Sequence, residues 1–76
     1  MTIASMIIQP AQGYLAQVAA ELSDITGVTV LTATPNQQII IVIEASSPED
    51  VCNIARCIET KTGVSGVYLT YINSEA

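Results

Sequence analysis

The stretch TGVTVLT, residues 26–32, returns in altered form as TGVSGVYLT, residues 62–70. The two Thr-Gly-Val triplets stand 36 residues apart in a chain of 76. Each follows a segment with apolar residues at helical spacing and precedes a run rich in β-branched residues. The repeat therefore marks one event twice, the passage from a helix into a strand. Gly27 and Gly63 suit that event as the positive-φ residues that close a helix.

Upstream of the first triplet, residues 12–25 place Leu15, Val18, Ala19, Leu22 and Ile25 on one helical face. Residues 3–9, IASMIIQ, form a short apolar run ended by Pro10 and read as a buried strand. Downstream, residues 28–34 (VTVLTAT) read as a strand, Pro35 and Asn36 as a turn, and residues 38–45 (QIIIVIEA) as a strand at the centre of a sheet. In SSPED, Ser47 is a good N-cap, Pro48 a first helical residue and Asp50 the acidic member of a capping box. Val51, Ile54, Ala55 and Ile58 form the second apolar stripe, residues 65–72 the last strand, and the tail NSEA is expected to fray.

The order is strand-helix-strand-strand-helix-strand, and a shift of 36 lays one half on the other. Leu15 then falls on Val51, Val18 on Ile54, Ala19 on Ala55 and Leu22 on Ile58. Each half is a βαβ unit. Two interleaved units predict an α+β, ferredoxin-like split βαβ fold (βαββαβ), with a four-stranded antiparallel sheet carrying both helices on one face. Residues 1–76 are expected to form this single domain, since a chain so short has no room for two cores.

Two helices leave the other face of the sheet uncovered. Side chains alternate along a strand, and the same shift groups Ile3, Ser5 and Ile7 with Ile39, Ile41 and Ile43. The opposite set is Ala4, Met6 and Ile8 with Ile40, Val42 and Glu44. A charged residue belongs away from a core, so Glu44 assigns this second set to the open face. Leu31, Ala33, Tyr68, Thr70 and Ile72 are expected to join it. An exposed apolar patch of this kind marks a binding surface, and methionine suits a variable partner. Met6, Ile8, Ile40, Val42 and Glu44 are thus the predicted contacts for an amphipathic peptide with apolar and basic residues. A second copy of the chain, forming a homodimer, is the other candidate occupant.

Composition narrows the function further. Two basic residues stand against seven acidic ones, a net charge of -5. Such a surface repels phosphate backbones and argues against nucleic acid. No apolar run approaches the ~20 residues that span a bilayer, so no membrane insertion is expected. The opening MTIASMIIQP lacks the basic start of a secretory signal, and the chain is expected to stay in the cytoplasm. Cys52 and Cys57, about 140° apart around a helix, cannot close a disulfide within it. With no histidine in the chain they are a poor start for a zinc site, and they read as small packing residues. The first loop holds neither a Cys-x-x-Cys nor a phosphate-binding arginine, and four cysteines for an iron–sulfur cluster are lacking. No nucleophile-and-base pair stands out. The chain reads as a non-enzyme without a cofactor of its own.

ASMIIQP in the first strand, GVTV after the first helix, QIIIVIEAS in the central hairpin and GVSGVYLTYI at the end resemble the NapD family over nearly the whole chain. Tyr71 is followed by Ile72 where that family's pattern has histidine, so a role for that histidine does not transfer. The resemblance implies a cytoplasmic chaperone that binds the twin-arginine signal peptide of the periplasmic nitrate reductase precursor. It implies that export waits until the client's molybdenum cofactor and iron–sulfur cluster are in place. A reading from a different class is an ACT-like module that senses a small ligand or dimerises, with its sheet closed by a second copy.

Overall fold

The computed structural model describes residues 1–34 and 36–74, so Pro35, Glu75 and Ala76 of the expected turn and tail lie outside the described residues. Its elements are β1 (Thr2–Pro10), α1 (Leu15–Ser23), β2 (Val28–Ala33), β3 (Ile39–Ala45), α2 (Pro48–Glu59) and β4 (Val64–Ser74). The sheet order is β2-β3-β1-β4, and each neighbouring pair is antiparallel. This is the ferredoxin-like arrangement.

The core explains why these segments order together. Val18 and Leu22 of α1 and Val51 and Ile58 of α2 meet Ile39, Ile41 and Ile43 of β3 in one buried cluster. Leu15, Ala19, Ile25, Ile54 and Ala55 pack around it. Both helical stripes therefore close on the same side of the sheet. Ser47 caps α2 as the sequence indicates, its Oγ accepting from the Asp50 amide at 3.2 Å. Glu49 and Asp50 lie in the first turn, where the helix dipole favours negative charge.

The helices end sooner than the triplets suggest. Asp24 and Thr60 are the C-caps, both right-handed. Gly27 and Gly63 instead occupy the third position of four-residue turns closed by Val28 N–H to Ile25 C=O (3.1 Å) and Val64 N–H to Lys61 C=O (3.3 Å). Their φ angles of 87° and 92° are those a side chain resists. A Cβ on Gly27 would also sit 2.6 Å from the Glu44 carbonyl oxygen, and one on Gly63 would overlap the Tyr14 ring. The Glu44 backbone cannot retreat, because its amide donates to the Gly27 carbonyl at 2.8 Å. Gly27→Ala is accordingly expected to destabilise the protein by about 2 kcal/mol, measured by urea denaturation.

α1 is shorter than its apolar spacing indicates because Gly13, at φ 87°, breaks the helix before Tyr14. β4 is longer: Asn73 and Ser74 pair with Ile3 and Thr2 instead of fraying. Cys52 and Cys57 are both free and exposed, so they are not packing residues. They occupy positions of α2 turned away from the Val51–Ile58 stripe.

The largest correction concerns β1. Met6 is 4% exposed and Ile8 0%, and both belong to the core with Ala4. Ile3, Ser5 and Ile7 are the residues that face away. The pairing shows why. Ile3 lies opposite Glu44, Ser5 opposite Val42 and Ile7 opposite Ile40, and residues directly opposite share a face. Carrying β1 onto β3 without changing faces therefore requires an odd shift. The even shift of 36 holds in the helix stripes and at the triplets but fails in β1 and β3. Leu15 lies five residues beyond Pro10, the end of β1, whereas its helical counterpart Val51 lies six beyond Ala45, the end of β3. An error of one residue turns every side chain of a strand over.

Candidate functional site

The open face is built of cross-strand rows. At one end stand Glu44, Ile3 and Asn73. Thr29, Val42, Ser5 and Tyr71 form the next row, followed by Thr32, Ile40, Ile7 and Tyr68. Gln9 and Gly66 close the far end. Ile40 and Val42, from the predicted contact set, do share this face with Glu44; Met6 and Ile8 do not.

Two irregularities settle which residues of the edge strands join them. Leu31 bulges between Val30 and Thr32 in β2, which places Thr32 on the open side and turns Ala33 toward the helix side, opposite Ile39. Thr70 bulges between Leu69 and Tyr71 in β4, and its hydroxyl donates to the Ser5 carbonyl at 2.9 Å. Tyr68 and Tyr71 therefore both reach the open face although they are three residues apart, while Ile72 falls opposite Ala4. Bulges at a site re-aim side chains in this way.

The chemistry of the face is that of a shallow adhesive surface. Ile3, at 38% exposure, together with Ile7, Ile40 and Val42 supplies an aliphatic centre in contact with solvent. Tyr68 and Tyr71, at 57% and 55%, stand along one flank. The Tyr68 ring lies back over Gly66, whose missing side chain makes the space for it. Thr29 and Thr32 line the opposite flank. Glu44 is the one charged residue among these described positions. A partner for such a face needs a broad apolar stripe and a cation at one end.

Sequence reasoning missed Ile3, Ile7 and Tyr71. A signal for the first two was present in β1 itself. Its odd positions include the polar Ser5 and Gln9, while Ala4, Met6, Ile8 and Pro10 are all apolar. That alternation alone points the even positions inward.

The family model described as NapD protein matches residues 1–76. The chain belongs to the NapD protein family. Among solved structures, the solution structure of the E. coli Tat proofreading chaperone protein NapD resembles it with a TM-score of 0.84 at 24% identity. That match covers 96% of this chain and 78% of the E. coli chain. No curated protein matches the chain by sequence. The structural likeness bears on the NapD fold, and it extends to the sheet whose outer face is described above. Among the described residues, no helix is long and apolar enough to cross a membrane.

Proposed function

We propose that this NapD-family chain is a chaperone that binds, on its open sheet face, the twin-arginine signal peptide of a nitrate reductase precursor. Binding would delay export until the client's cofactors are inserted. The observation that carries this reading is the pairing of an exposed aliphatic centre, Ile3, Ile7, Ile40 and Val42, with the carboxylate of Glu44 at its end. A twin-arginine signal peptide has the matching form, a basic start followed by an apolar segment. Laid down as an amphipathic helix, it covers the aliphatic rows and brings its arginines beside a negative charge. Membership of the NapD family supports the same reading.

Titration of the ¹⁵N-labelled protein with an unlabelled twin-arginine signal peptide tests it. The amides of Ile3, Ser5, Ile7, Ile40, Val42, Tyr68 and Tyr71 are expected to shift together, while those on the outer surfaces of α1 and α2 stay in place. Shifts confined to the helices, or none at millimolar peptide, would remove the face from consideration.

A further inference from the structure

The charges of the molecule are sorted by the topology. β1 begins where β3 ends, with Thr2 opposite Ala45. α1 ends, β2 begins and α2 starts at that same end of the sheet, as the Glu44–Gly27 hydrogen bond shows. Five carboxylates gather there: Glu21 and Asp24 at the end of α1, Glu44 on β3, and Glu49 and Asp50 in the first turn of α2. The Met1 amine is the opposing charge nearby. The basic side chains lie elsewhere. Arg56 is in the last turn of α2, about 12 Å along the helix from its start, and Lys61 lies just beyond the helix end, about 20 Å from that start. Glu59 is the one described carboxylate at that end. An open recess of about 450 Å³, lined by Met1, Gly27, Glu44, Ala45 and Ser46, lies at the acidic end.

We infer that this polarity sets the direction in which the peptide lies. Its basic end sits at the Glu44 row and recess, and its apolar segment runs over Val42, Ile40 and Ile7 toward Gln9 and Gly66. The inference rests on the peptide-binding reading above. The row of Gln9 lies about 20 Å from the row of Ile3 and Glu44 along the strands. A bound helix covers that distance in about 13 residues, enough for a basic pair and the apolar stretch behind it. The positive end of the bound helix's dipole points the same way as its arginines, so both favour the acidic end. A reversed peptide would hold its arginines about two Debye lengths from Glu44, on the side where Arg56 and Lys61 stand.

Paramagnetic broadening decides the direction. Two versions of the signal peptide are prepared, one with a nitroxide at the basic end and one with it at the far end, and each is added to the ¹⁵N-labelled protein. The basic-end label is expected to broaden Ile3, Thr29 and Glu44, and the far-end label Gln9, Ile40 and Gly66. The reversed pattern, or equal broadening of both ends by each label, overturns the orientation while leaving binding to the face intact. No broadening on the face with either label overturns the binding reading itself. Glu44→Lys is expected to weaken binding about five-fold, whereas Lys61→Glu changes it less than about two-fold. Equal effects of these two substitutions would also count against the assigned direction.

Discussion

Ile8→Ala is expected to lower the unfolding free energy by about 3 kcal/mol, and Ile7→Ala, one residue earlier on the same strand, by about 1 kcal/mol or less. Ile8 is fully buried between the sheet and the helices, in the cluster that contains Leu22, Ile41 and Ile58. Removing three of its carbons deletes their transfer energy and leaves a cavity in a core that relaxes only in part. Ile7 loses only partial contacts on a face already in water. In so small a domain the Ile8 change corresponds to a fall of about 15 °C in melting temperature. Urea titrations with unchanged m-values are the suitable measurement. Equal costs at the two positions would mean that the sides of β1 have been assigned the wrong way round.

Ile40→Asp is expected to have the opposite profile, with near-normal stability and a loss of peptide affinity of about 30-fold or more. Ile40 lies opposite Ile7 and Thr32, at the middle of the open face. A carboxylate there stays hydrated in the free protein, so folding is little affected. Covering it with the apolar stripe of a peptide strips that water without supplying a partner, at a cost of about 2 kcal/mol or more. Ile7→Asp is expected to behave alike. Calorimetric titration with the signal peptide checks both, with Glu59→Ala on the far end of α2 as a control. Affinities within about three-fold of the unaltered protein would show that the peptide binds elsewhere.

The fold was readable because its signals were local and redundant. The cap at Ser47, the stripes on both helices and the run QIIIVIEA each specify an element without reference to the others. Half of the candidate face was readable on the same terms, since Glu44 settles the side of Ile40 and Val42 within one strand. The β1 half was not, because it was carried over from β3 through a repeat whose spacings from strand end to helix stripe differ by one residue. A helix tolerates such a difference by starting later, whereas a strand does not. The edge strands were out of reach for another reason. The bulges at Leu31 and Thr70 arise from how each strand meets its neighbour, and neither residue type announces them.

The two tyrosines on the flank of the face have an optical consequence. The chain has no tryptophan, and Tyr14 is its only other tyrosine. Two of its three near-ultraviolet chromophores therefore stand on the surface assigned to the peptide, where they are more than half exposed. Any layer that settles over Tyr68 and Tyr71 changes the polarity around their rings. The unmodified protein thus carries its own spectroscopic gauge of occupancy, placed on β4 by the bulge that brings both rings to one side.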